Sequence, residues 1–152
     1  MNDIAEEFFA LGKEDKKKVH IAMAELSLIS WNELLVKGDI PLSYRETVAG
    51  TIQSVDANLP KNALDAVIGE LSGEGILQEY VEPICALQDD DWDFNDDGEM
   101  AYYAIYNTFC KYVLLQEVDD WLIVNQALSS LGEGADIFTP LKHAVNSAKK
   151  IT

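Results

Sequence analysis

The chain has 152 residues, about one domain's worth, and 48% of them are apolar, enough to fill a core. It carries 27 acidic and 11 basic residues, a net charge of −16. That balance argues against a reader of nucleic-acid backbones or of anionic membranes, since both need Lys and Arg to neutralise phosphate.

Asn2 or Asp3 can cap a short first helix that ends at Leu11, with Gly12 as its stop. A second helix is predicted from about Asp15 to Lys37, ended by Gly38. Its Ile21, Ala24, Leu28, Trp31 and Leu35 form one apolar stripe. A third is predicted from about Leu42 to Ala57, with Val48, Ile52 and Val55 facing inward. Pro60 opens a fourth, with Leu64, Val67, Ile68 and Leu71 at helical spacing, closed by Ser72-Gly-Glu-Gly75. In the stretch Ile76 to Leu87, Pro83 would kink or split any helix.

Between Glu99 and Gln116 the only charged residue is Lys111, so a helix over about 99–116 is apolar nearly all round and belongs at the centre of a bundle. Tyr102, Tyr106, Phe109 and Val113 make one of its stripes, and Ala101, Ala104, Ile105, Thr108 and Tyr112 another. A further helix runs from about Val118 to Leu131 and stops at Gly132-Glu-Gly134. The last is capped by Thr139, with Pro140 at its first position. The expected architecture is one all-α domain over residues 1–152, a bundle of about six to eight helices around the central apolar one.

The N-terminal stretch has acids at Asp3, Glu6 and Glu7 and lacks the pattern of a secretory signal. The longest uncharged run, Trp121 to Gly132, is well short of the ~20 apolar residues a membrane helix needs. Cys85 and Cys110 make no disulfide framework and are expected as free buried thiols. The protein is therefore expected in the cytoplasm, with no membrane partner.

The charge is unevenly spread. From Asp65 to Asp136 there are 17 acids and one base, Lys111; the remaining 80 residues are balanced at 10 acids and 10 bases. Self-repulsion of that size opposes compaction, so it calls for a reason. Solubility is the plainest one, and a basic partner is the alternative.

The most conspicuous motif is the run from Asp89 to Glu99. Asp93, Asn95, Asp97 and Gly98 match the first half of a calcium loop, including the glycine at position six. Position twelve, where a bidentate Glu closes the coordination sphere, is Ala104, so no metal site is expected. Asp96, Asp97 and Glu99 sit where a helix N-terminus welcomes negative charge. Asp89, Asp90, Asp91 and Asp93 are left as a solvated display interleaved with Trp92 and Phe94. That mixture suits a protein interface, in which rings anchor while charges steer a basic partner. Asp119 and Asp120 repeat the combination just before Trp121, although Trp121 itself is expected in the core.

Catalysis finds little support. His20 and His143 stand alone on predicted helices, and no nucleophile elbow, phosphate loop or zinc-deaminase pattern is present. The expectation is a protein that is not an enzyme and holds no cofactor.

The stretches Glu25 to Gly38 (ELSLISWNELLVKG) and Asp89 to Phe109 (DDDWDFNDDGEMAYYAIYNTF) cover about a quarter of the chain. In an acidic all-helical context they resemble the all-α immunity proteins of bacterial polymorphic-toxin and contact-dependent growth inhibition systems. The resemblance implies an inhibitor that binds the C-terminal domain of a cognate toxin, commonly a nuclease, and blocks its active site or substrate path. It implies no catalytic residue. Charge then nominates Asp89, Asp90, Asp91, Trp92, Asp93, Asp96, Asp97, Asp119 and Asp120 as the partner-binding surface, since a nuclease must display a basic groove. Two other functions fit the same residues: a calcium-binding module using Asp93–Gly98, and an acidic nucleic-acid mimic that inhibits a DNA-binding protein. The first would show a melting-temperature shift with calcium, lost on Asp93→Asn.

Overall fold

A computed structural model describes residues 2–45, 50–54, 57–70 and 96–150 of the chain. The fold is all-α. Among the described residues the helices are α1 (Asn2–Phe9), α2 (Lys13–Lys37), α3 (Leu59–Ile68), α4 (Asp96–Tyr112), α5 (Asp120–Ser129) and α6 (Phe138–Lys150). Two three-residue strands, β1 (Ser43–Arg45) and β2 (Ile52–Ser54), pair antiparallel between α2 and α3.

Helices α2 and α4 are the shared spine of two apolar clusters. On one side Ala24 and Trp31 of α2 pack with Ile40, with Leu59, Ala63 and Val67 of α3, and with Tyr102, Ile105 and Phe109 of α4. On the other side Val19 and Met23 of α2 and Ala104 of α4 pack with Ile4 and Phe8 of α1, Val124 and Leu128 of α5, and Leu141 and Val145 of α6. The helix expected at the centre is there, and α2 is equally central. Alone among the described helices, α2 has the length and apolar content of a membrane span, yet its buried Val19, Met23, Ala24 and Trp31 form the core of the bundle.

Glycine ends α2. Gly38 takes φ 79°, and the N–H groups of Gly38 and Asp39 donate to the Leu35 and Leu34 carbonyls at 3.1 and 2.9 Å. This left-handed cap satisfies carbonyls that would otherwise be orphaned at the end of the helix. Three of the crowded bases at the start of α2 each face an acid: Lys16 faces Asp120 at 3.6 Å, Lys17 Glu70 at 3.3 Å and Lys18 Asp15 at 3.4 Å.

Three expectations need correction. The helix predicted over Leu42–Ala57 is instead the β1–β2 pair, with Ser43 opposite Ser54 and Arg45 opposite Ile52. Gly50, at φ 69°, interrupts any helix, and the Thr and Ile around it favour extended backbone. Ile52, expected inward, is 65% exposed; Val48 and Val55 lie outside the described residues. Next, the central helix stops at Tyr112 and not at about 116. There Leu115 turns left-handed at φ 57°, and the Gln116 N–H reaches back to the Cys110 carbonyl at 3.0 Å. Finally, Asp136, not Thr139, caps the last helix: its Oδ1 accepts from the N–H groups of Phe138 and Thr139 at 3.0 and 3.2 Å. Hydrogen bonds from the Thr139 side chain and backbone, with one from Phe138, hold the Asp136 carboxyl below the usual carboxylate range.

The stretch Ile76–Leu87, with Cys85, and the run Asp89–Asn95 lie outside the described residues. Cys110 is a free, buried thiol, as expected.

Candidate functional site

Four of the nine nominated surface residues are described: Asp96, Asp97, Asp119 and Asp120. They fall into two pairs at opposite ends of α4. At 1.5 Å per residue its 17 residues span about 25 Å, so the pairs do not form one patch. Asp89, Asp90, Asp91, Trp92 and Asp93 lie outside the described residues; in the sequence they lead directly into Asp96.

At the first end, Asp96, Asp97 and Glu99 occupy the opening turn of α4, where they complement the helix dipole. Asp96 is exposed. Asp97 is half-buried against the turn that follows α5; a Cβ built on Gly132 would stand 3.4 Å from the Asp97 Oδ2. Asp97 also lines a recess of about 300 Å3 with Leu26, Ile29, Glu33 and Leu131. Lys37 is the base on its rim. Gly98, the glycine of the partial calcium motif, is buried and helical, as is Ala104 at the closing position. The helix thus begins before the point at which a calcium loop would make its sharp turn. Among the described residues no group of three or more His, Cys, Asp or Glu side chains converges as a metal site requires.

At the other end Asp119 is the N-cap of α5, and its Oδ2 accepts from the Leu122 N–H at 3.0 Å. Replacing it with Ala should cost about 1 kcal/mol of stability in urea unfolding, the usual worth of such a cap. Asp120 is turned inward. It pairs with Lys111 at 2.9 Å and Lys16 at 3.6 Å, and Lys111 also donates to the Val118 carbonyl at 3.1 Å. Partial burial would raise the Asp120 pKa, but the Lys111 hydrogen bond and the charges of Lys111, His20 and Lys16 outweigh it and hold the carboxyl low.

Beneath this ion pair lies His20, fully enclosed at 0% exposure. Its Nε2 is 2.9 Å from the Asp120 backbone carbonyl, and its Nδ1 is 2.6 Å from the Tyr112 hydroxyl. A carbonyl can only accept, so Nε2 carries the proton, and Nδ1 accepts from the Tyr112 O–H. Burial lowers the His20 pKa, assisted by Lys111 and Lys16 and opposed by Asp120; burial likewise raises that of Tyr112, with Asp120 and Glu14 adding to it. The ring is neutral and both its nitrogens are engaged, so it has no lone pair to offer a substrate. It ties α2 to the end of α4 and the start of α5.

Trp121, expected in the core, is half-buried: its ring lies tilted against those of Phe8 and Phe9, at 5.9 and 5.6 Å, while also lining an open recess. That recess, of about 370 Å3, runs beside α5 toward Glu133 and Ile137. Sequence reading took Gly132-Glu-Gly134 only as a helix stop. Two glycines on either side of one acid were the available signal that Glu133 is displayed on a tight turn, and in the structure they take φ 95° and 82°.

The fold and this surface define an acidic all-α bundle. No family model matches the chain, and no curated protein or solved structure is significantly similar to it.

Proposed function

We propose that this chain is an immunity protein, which binds and neutralises the C-terminal domain of a cognate toxin in the cytoplasm. The toxin class that best fits it is a nuclease, whose substrate groove must be basic. The observation that carries this reading is the fate of Lys111. It is the one base among the 17 acids between Asp65 and Asp136, and it is spent internally on Asp120 and the Val118 carbonyl. Nothing of that half is left over to repel a basic surface. A field of this size raises encounter rates and selects a partner of opposite sign.

In this proposal contact centres on the run Asp89, Asp90, Asp91, Trp92 and Asp93 together with Asp96 and Asp97. Asp119 and Asp120, about 25 Å away along α4, contribute mainly to the long-range field. The test is co-expression with the C-terminal domain encoded immediately upstream. Rescue of growth and a complex that weakens with added salt are expected. An upstream domain that kills regardless and does not bind, or one that is harmless, would overturn the reading.

A further inference from the structure

We propose that the groove along α5 is the seat of an extended basic segment of the protein partner. The proposal rests on the reading that the partner is basic, and it adds to the contact at Asp89–Asp97 a second one at a particular place. Trp121, Asn125 and Ser129 recur every fourth residue and so share one face of α5, about 12 Å long. Gly132 and Glu133 of the turn after α5, and Ile137 beyond it, complete the lining. Trp121 is held from behind by Phe8 and Phe9, so the apolar anchor is preformed.

Charge identifies the occupant. Between Lys111 and Lys142 the chain has five acids and no Lys or Arg. Of these acids, Asp119 and Asp136 cap helices and Asp120 is ion-paired. Glu133, by contrast, is exposed and makes no hydrogen bond or ion pair among the described residues. A free carboxylate at one end and an indole with Leu128 and Ile137 along the rest fit a segment with an apolar residue flanked by Arg or Lys. Five extended residues reach about 16 Å, enough to lie from Trp121 to the turn. This placement also links the two ends of α4 at which the acids gather.

The test uses the full chain, labelled with nitrogen-15, and three pentapeptides: acetyl-Arg-Ala-Leu-Ala-Arg-amide, acetyl-Arg-Gly-Gly-Gly-Arg-amide and acetyl-Glu-Ala-Leu-Ala-Glu-amide. Trp121→Phe assigns the Trp121 indole signal. The first peptide should shift that indole and the amides of Asn125, Ser129 and Glu133 saturably; the glycine peptide should bind more weakly and the acidic one not at all. Glu133→Gln, at an exposed position, should weaken the first peptide by about two- to fivefold, the worth of one exposed charge pair. Absence of saturable shifts, equal shifts with the acidic peptide, or an unchanged affinity in Glu133→Gln would overturn the groove. Toxin rescue without peptide binding would refute the groove alone, whereas peptide binding without toxin rescue would refute the immunity reading alone.

Discussion

Trp31→Ala is expected to remove about 3–5 kcal/mol of stability, the cost of truncating a large aromatic in a closed core. Trp31 is 0% exposed and packs with Ile40, Leu59, Ala63 and Tyr102, its ring 5.9 Å from that of Tyr102. Its Nε1–H also donates to the Ala57 carbonyl at 3.0 Å, pinning the segment that enters α3 onto α2. Truncation therefore opens a cavity at the junction of α2, α3 and α4 and also releases the tether between α2 and the segment before α3. A loss of that size is a large share of the ~5–15 kcal/mol that holds a typical domain together. Trp31→Phe keeps most of the ring contact and should lose about 1–2 kcal/mol, chiefly the hydrogen bond and a little volume. Urea unfolding followed by circular dichroism measures both. A Trp31→Ala midpoint close to wild type would mean that this cluster is not the core of the molecule.

The second large effect is a loss of stability in mild acid. His20 has its pKa lowered by burial in the native state, against 6.5 for the free side chain. The unfolded chain therefore binds a proton that the native one refuses. The stabilising contribution is complete above 6.5 and is lost as pH falls from there through the native pKa. Within that window this one group gives a slope approaching about 1.4 kcal/mol per pH unit. Among the described residues, Lys16 and Lys111 oppose protonation of the ring, Asp120 favours it, the Tyr112 hydroxyl and Asp120 carbonyl fill its two nitrogens, and the Phe8 ring packs against it without charge. His20→Gln should be less stable at neutral pH, yet its stability should not follow pH across the same window. Asp120, whose pKa is also depressed, adds a separate loss only below its ordinary value of 3.8. A wild-type stability that stays flat from neutrality to about pH 5 would contradict this account of the buried imidazole.

What the sequence made legible follows from how local its physical cause is. The α2 stripe could be read where period and burial agree, at Ala24 and Trp31 two turns apart, with Ile21, Leu28 and Leu35 half-buried beside them, and Gly38 marks the end by a requirement that few residues but glycine meet. The β1–β2 pair was hidden because Val48, Ile52 and Val55, at i, i+4 and i+7, fit a helical period and not an alternating one; strand pairing, not local spacing, decided the outcome. The end of α4 was hidden because Leu115 takes a left-handed conformation that a leucine does not advertise. Asp136 and Thr139 are both good caps, and only the direction of the incoming chain chose between them.

The acids tell the same story at the level of the site. Their excess was plain from counting, but their sorting was not. Asp119 became a cap and Asp120 an internal ion pair, while Asp97 met Gly132 across the bundle. These outcomes depend on which helix ends meet in three dimensions. The role of His20 was equally unreadable, since Tyr112 and Asp120 are 92 and 100 residues away in sequence.

The central claim is that clustered acids in this chain capture a basic toxin domain. The most direct measurement is the association rate of the purified pair from low to physiological salt, for wild type and for a variant with Asp90, Asp91 and Asp93 all changed to Asn. Electrostatic steering predicts a fast wild-type rate that falls steeply with salt, and a slower, flatter rate in the variant. A wild-type rate indifferent to salt would contradict the claim, and a variant with unchanged kinetics would remove the Asp89–Asp93 run from the interface.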